Sequence, residues 1–124
     1  MMKIIVTGGY GFIGSALIRY ILDNSNDEIL NLDKLTYASN KASLEAYENN
    51  NNYSFEEIDI VDKSAVQKIF SSFKPDAIMH LAAESHVDRS IIDSSQFIKT
   101  NIIGTYNLLE LSKNYLDEEN KNKF

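Results

Sequence analysis

The stretch "KIIVTGGYGFIGS", Lys3 to Ser15, constrains the fold more than any other part of the chain. Lys3 to Thr7 is a near-continuous apolar, β-branched run, the pattern of a strand covered on both faces. The run stops at glycines. After them Ile13, Leu17 and Ile21 recur at helical spacing with Leu22 beside them, until the polar "DNSND" from Asp23 closes the segment. A strand that passes through glycines directly into a helix opens a β-α-β unit, which predicts a parallel sheet with helices packed on it.

The same rhythm continues along the chain. Glu28 to Asp33, "EILNLD", reads as a second strand; the connection after it holds "SLEAYE", enough for a helical turn or two, and Asn49 to Asn52 reads as a solvated loop. Tyr53 to Ile60 is a third strand. Ser64 with Gln67 three positions on forms a capping box that predicts a helix through Phe73, ended by Lys74-Pro75-Asp76. Ala77 to Ala83 is a fourth strand. From Asp93 to Leu116 the pattern predicts one long helix, with Phe97, Asn101, Thr105 and Leu108 on one stripe and Leu109 and Leu111 adjacent. Gly104 inside that helix costs propensity, which predicts a neighbour packed closely against it.

Alternating strands and helices with right-handed crossovers give an α/β, Rossmann-type doubly wound parallel sheet, incomplete here, with its first four strands in the order 3-2-1-4. Residues 1–116 make up this partial domain, and the polar "DEENKNKF" over 117–124 reads as a frayed end and a truncation point. A doubly wound sheet binds ligand at the carboxyl ends of its strands where the order reverses. The loops after Thr7 and Ala83 are therefore expected to face one crevice.

Composition narrows what that crevice serves. The 124 residues carry a net charge of −6 and no run of Lys or Arg, so the surface repels a polyphosphate and no nucleic-acid partner is expected. There are no cysteines, which excludes disulfides and thiolate metal sites and fits a reducing, cytoplasmic setting. The apolar residues before the first glycines are too few for a signal peptide or a membrane span. Asn52-Tyr53-Ser54 matches a glycosylation sequon and, with no secretory signal, is read as chance.

Within "TGGYGFIGS", Gly8, Gly11 and Gly14 satisfy T-G-x-x-G-x-x-G, and Gly9, Gly11 and Gly14 satisfy G-x-G-x-x-G. The motif needs glycines for the turn, for backbone approach to a pyrophosphate and for close strand–helix packing, and the helix N-terminus near Phe12 and Ile13 offers N–H groups to phosphate. Asp33 follows Gly14 by nineteen positions, at the end of the second strand, as the dinucleotide fingerprint requires. A carboxylate there accepts ribose hydroxyls and repels a 2′-phosphate, which favours NAD over NADP, although the neighbouring Lys34 is a cation that could tolerate the phosphate. No lysine follows Gly14, so a P-loop is rejected. Asp59 and Ile60, at the end of the third strand, are placed to grip and cover an adenine.

With these residues placed, "TGGYGFIGS", "NLDKLTYA", "DI" with an acid two residues on, "HLAAESHVDRSI" and "FIKTNIIGTYNLLE" together resemble the extended short-chain dehydrogenase/reductases, and within them the nucleotide-sugar dehydratases. The resemblance spans Met2 to Leu111. It implies an NAD site with Phe12 and Ile13 under the pyrophosphate, Asp33, Lys34, Leu35 and Thr36 at the adenosine ribose, and Asp59 and Ile60 at the adenine. Leu81, Ala82, Ala83, Glu84 and Ser85 would run along the cofactor, with Thr100 further in and Ser85 also facing the substrate, a dTDP-sugar. It further implies a cytoplasmic homodimer in full-length form and a nucleotide-sugar 4,6-dehydratase activity in which NAD shuttles a hydride. The family's Thr-Asp-Glu segment and Tyr-x-x-x-Lys pair are expected beyond Phe124, so no catalytic residue is assigned to this chain, which alone is expected to be inactive. A nucleotide-sugar epimerase of the same superfamily and a stand-alone NAD-binding module are the other readings.

Two apparent clusters are set aside. Tyr37 and Lys41 have the Tyr-x-x-x-Lys spacing but follow the second strand instead of lying on the family's helix, and the match is read as accidental. In "HLAAESHVDRS", His80 to Ser90, a serine, a histidine and an aspartate stand too close along one loop to face one another as a hydrolytic triad, and His80, His86, Glu84 and Asp88 form no evident metal ligand set. His80 is expected to be a packed strand residue and Asp88 with Arg89 a local ion pair.

Overall fold

The computed structural model describes residues 1–119. Strands β1 (Lys3–Thr7), β2 (Glu28–Asp33), β3 (Tyr53–Glu57) and β4 (Ala77–His80) form one sheet in the order β3-β2-β1-β4. Every pairing is parallel. Helix α1 (Phe12–Asn24) follows β1, a 3-10 helix (Lys41–Tyr47) follows β2, and α2 (Lys63–Phe73) joins β3 to β4. After β4 come α3 (Val87–Ile92), α4 (Ser94–Phe97), a π-helical segment (Ile98–Gly104) and α5 (Thr105–Glu119). This is the doubly wound architecture and strand order that the sequence pattern predicts. Among the described residues no helix is long and apolar enough to cross a membrane.

Side-chain alternation along β1 divides the core in two. Ile5 joins Leu30, Leu32, Val66, Phe70, Leu108 and Leu111 on the face covered by α2 and α5. Ile4 and Val6 join Ile18, Ile21, Ile29 and Leu44 on the face covered by α1 and the 3-10 helix. Successive strand residues point to opposite faces, so an unbroken apolar run serves both layers.

The strands end earlier than their apolar runs. β3 was expected to reach Ile60 and stops at Glu57, because its ladder partner β2 ends at Asp33, opposite Glu57. Asp59 and Ile60 therefore lie in the loop, where the Asp59 carboxylate accepts from Val61 N–H at 3.0 Å. β4 was expected to reach Ala83 and stops at His80, opposite Thr7, where β1 itself turns away at the glycines. Leu81 to Ala83 become a loop wall in place of strand.

Two helix expectations change as well. The α2 cap is Asp62, whose Oδ1 accepts from Ala65 N–H at 3.1 Å, and Ser64 sits inside the first turn instead of capping it. Asp62→Ala is expected to cost about 1 kcal/mol, with Ser64→Ala close to neutral, read from urea midpoints. The helix expected from Asp93 starts there, with the Asp93 carboxylate accepting from Ser95 N–H as its cap, but the π-helical turns of Ile98–Gly104 interrupt it. The π-helical segment then shifts the phase of α5. Leu108 and Leu111 are buried as the stripe predicts, Leu109 is exposed, and Asn107 and Tyr115 are buried instead. A Cβ on Gly104 would come within 2.6 Å of the Ile60 side chain, the close neighbour its presence predicts. The polar end expected over 117–124 lies, from residue 120, outside the described residues.

Candidate active site

The strand ends and the loops after β1, β2, β3 and β4 border an open crevice. Twelve sequence-selected residues line it: Gly8, Gly11, Asp33, Lys34, Thr36, Asp59, Ile60, Leu81, Ala82, Ala83, Glu84 and Thr100. Leu32, Ala38, Ser39 and Ile58 join them. Five selected residues do not line it. Phe12 and Ile13 turn their side chains outward, 94% and 67% exposed, Gly14 is buried in α1, Ser85 is exposed past the wall, and Leu35 packs into the α1-side core.

The floor is set by β1. Gly8 has φ +70°, and a Cβ there would meet the Ala82 backbone nitrogen at 2.7 Å, so only glycine lets the turn pass against the β4 loop. A Cβ on Gly14 would strike the Gly8 carbonyl, so α1 approaches the turn only because that position is bare. Asn31 locks the turn from below. It is fully buried, its Oδ1 accepts from Gly9 N–H at 3.0 Å, and its amide donates to the Tyr53 hydroxyl at 3.1 Å. Sequence reasoning missed Asn31; its only signal was a polar residue within the apolar run "EILNLD".

Asp33, 7% exposed, ends β2 as a hub. Its Oδ2 accepts from Tyr10 N–H at 3.0 Å. Its Oδ1 accepts from Leu35 N–H at 2.8 Å and from the Ser39 hydroxyl at 3.0 Å. Those bonds hold Leu35 at φ +58°, a left-handed conformation uncommon for a non-glycine residue, and so bend the β2 loop over the crevice. A carboxylate has about four acceptor positions, so three bonds leave one free. Lys34 points away from this group. Its Nζ donates to Thr100 Oγ1 at 3.3 Å and lies 3.6 Å from Glu84 and 3.9 Å from Asp59, bridging three walls.

The outer rim joins the β2 loop to the stretch after β4. The Tyr37 hydroxyl donates to Glu84 at 3.3 Å, and it lies 3.0 Å from His86 Nδ1. The Arg89 guanidinium stacks over the Tyr37 ring at 3.4 Å, and no Asp88–Arg89 ion pair forms among the described residues. The planar cation gains more from the aromatic face than from its exposed neighbour. Desolvation first, and then Glu84, hold the Tyr37 phenol above its ordinary range. Lys41 lies over the Phe55 ring instead of beside Tyr37.

His80 is tied to two threonines. Thr7 Oγ1 accepts from Leu81 N–H at 3.1 Å and Ala82 N–H at 3.2 Å, so its own proton goes to His80 Nδ1 at 2.7 Å. That assigns the remaining ring proton to Nε2, which donates to Thr105 Oγ1 at 2.9 Å. Burial lowers the His80 pKa below its ordinary 6.5, favouring the neutral ring. The unfolded chain then takes up a proton that the native state resists. The contribution to stability is intact above pH 6.5 and is lost as pH falls below it toward the lowered native value. Urea midpoints measured from about pH 7.5 to 5.5 are expected to fall less in His80→Gln than in the parent.

The elements around this crevice match known proteins closely. Residues 5–124 match the family model described as GDP-mannose 4,6 dehydratase. The chain is 58% identical to the dTDP-glucose 4,6-dehydratase of Haemophilus influenzae, covering 100% of this chain and 38% of that protein. A dTDP-glucose 4,6-dehydratase of Streptomyces venezuelae, solved with NAD bound, superposes with a TM-score of 0.84 at 42% identity, over 92% of this chain and 36% of that one. A UDP-glucose 4-epimerase of Thermotoga maritima, solved with UDP-glucose, gives 0.81 at 37% identity, over 92% and 35%. The chain thus spans little more than a third of the length of these relatives. With a family match that runs almost from end to end, the chain belongs to the GDP-mannose 4,6 dehydratase family.

Proposed function

We propose that the crevice binds NAD and that the chain is the cofactor-binding part, over residues 1–116, of a dTDP-glucose 4,6-dehydratase. The observation that carries the reading is Asp33, a buried carboxylate at the carboxyl end of β2 that lines the crevice, in a chain 58% identical to such an enzyme. The glycine turn fits a pyrophosphate, since Gly8 and Gly11 line the crevice with bare backbone and no side chain caps α1 at Gly11. Phe12 and Ile13 would serve through their peptide N–H groups, consistent with side chains that point away. The Asp33 carboxylate would take a ribose hydroxyl. Because Lys34 is engaged with Glu84 and Thr100, it is drawn away from offsetting the repulsion between Asp33 and a 2′-phosphate, which favours NAD over NADP.

Bound in this crevice, NAD would supply reversible hydride transfer with the sugar. The residues of this chain hold and orient. Asp59 and Ile60 flank the adenine end, and Leu81 to Glu84 border the cofactor as far as Thr100. Ser85, beyond the crevice lining, would face the dTDP-sugar. No residue of this chain is given a proton-transfer role. The full enzyme would be a cytoplasmic homodimer supplying the 4-keto-6-deoxy precursor of dTDP-rhamnose. Relatives at 53–58% identity that are dTDP-glucose 4,6-dehydratases favour dehydration. The full-length protein is expected to convert dTDP-glucose to a product lighter by one water, seen by mass spectrometry, with no turnover by the 124-residue chain. Conversion of UDP-glucose to UDP-galactose, with no loss of water, would overturn this in favour of the epimerase.

A further inference from the structure

The β2 loop is wired firmly at its base and held at its tip by one side chain. At the base, Asp33 accepts from Leu35 and Ser39, Thr36 N–H donates to Ser39 Oγ at 3.0 Å, and Ser39 N–H donates to the Thr36 carbonyl at 2.9 Å. At the tip, Tyr37 reaches across to the stretch after β4 and meets three groups there. Its hydroxyl donates to Glu84 at 3.3 Å, the His86 ring stands nearly perpendicular to its ring with centroids 4.9 Å apart, and the Arg89 guanidinium covers its face at 3.4 Å. The phenol has one proton for two acceptors. Both contacts form at once when the His86 proton sits on Nδ1, 3.0 Å away, and donates to the phenol oxygen, which passes its own proton to Glu84.

This contact also divides space. Thr36 and Glu84 border both the crevice and a second opening behind the rim, which Arg89, Ile92 and Phe97 also line. Tyr37 lines that second opening and not the crevice, while its chain neighbours Thr36 and Ala38 line the crevice. The Tyr37–Glu84 contact is therefore a partition between the two. Breaking it leaves the Asp33 bonds at the loop base in place and removes the anchors that hold the tip against the stretch after β4.

We propose that Tyr37 is a positioning residue that latches the tip of the β2 loop to the stretch after β4 and so sets how long a dinucleotide stays in the crevice. The inference rests on the NAD reading of the crevice, and the latch can be tested apart from it. Dissociation is read by chasing NADH from the full-length protein with excess NAD and following its fluorescence; amide hydrogen exchange over 36–40 reads the latch itself. Tyr37→Phe keeps the stacked ring and loses the hydroxyl, and is expected to speed dissociation by about fivefold. Tyr37→Ala loses the ring as well and should reach about tenfold or more, with Arg89→Met, which removes only the stacked cation, between the parent and Tyr37→Ala. Association should change by less than about twofold, since the latch opposes leaving and not encounter. Tyr37 is 45% exposed, so urea midpoints should stay close to the parent's, whereas a residue that only supported the fold would move the midpoint. Exchange over 36–40 should quicken in Tyr37→Ala while exchange in β1 stays slow. Parent-like dissociation of NADH from Tyr37→Ala would overturn the proposal. A parent protein that binds no NADH would overturn the cofactor reading instead, and exchange over 36–40 would then decide whether the latch exists.

Discussion

Replacing Gly8 with valine is expected to abolish NAD binding and to cost about 3 kcal/mol or more of stability. Two penalties combine. A β-branched side chain is a genuine outlier at φ +70°. Its Cβ would also sit 2.7 Å from the Ala82 nitrogen and 2.8 Å from the Ala82 Cα, backbone atoms that cannot swing aside as a side-chain tip can. The β1 turn and the β4 wall would be forced apart, which opens the crevice at its floor. Gly11→Ala separates the two effects. Gly11 begins α1 with φ −76°, and its added Cβ would meet only the Gly8 carbonyl, at 3.2 Å. That substitution should cost no more than about 1 kcal/mol and still weaken NAD binding, because the methyl group lies at the crevice mouth. Denaturant midpoints together with NAD titrations of both variants check the pair.

Asp33→Ala is expected to lose about 2–4 kcal/mol of stability and most of the affinity for NAD. The carboxylate accepts from Tyr10 N–H, Leu35 N–H and the Ser39 hydroxyl, and its removal leaves these donors unpaired at the buried end of β2. It also frees Leu35 from the left-handed turn that shapes the β2 loop. Asp33→Asn should be nearly as damaging. Both carboxylate oxygens face N–H donors, so the carboxamide NH2 must be set against one of them wherever it points. Loss of the charge should also narrow the preference for NAD over NADP. Urea denaturation and parallel titrations with the two dinucleotides measure both consequences.

The parts of the site written locally were legible in the sequence. The glycine turn and Asp33 are set by spacing along one β-α-β unit, and the crevice brings them together because a parallel doubly wound sheet leaves no other place for them. Strand ends were read too long for one physical reason. Apolar runs continue through Ile60 and Ala83, but a ladder stops when its neighbour stops, at Asp33 and at Thr7. The helix after β4 was hardest to read. Asn101 and Thr105 share a stripe with Phe97 and Leu108 in the sequence pattern and Asn107 carries no signal there, and the roles of all three depend on which loops fold across them. The π-helical segment shifts the phase, so Leu109 faces outward although its spacing suggested burial. Asn31 was hidden for a related reason, since its partner is a glycine N–H that only the tertiary turn brings within reach.

Calorimetric titration of the chain with NAD and with NADP reads the selectivity proposed for Asp33. Saturable binding of one NAD per chain is expected, with NADP weaker by about tenfold or more because Asp33 repels the added phosphate. Absence of NAD binding by a folded chain, or tighter binding of NADP than of NAD, would contradict it.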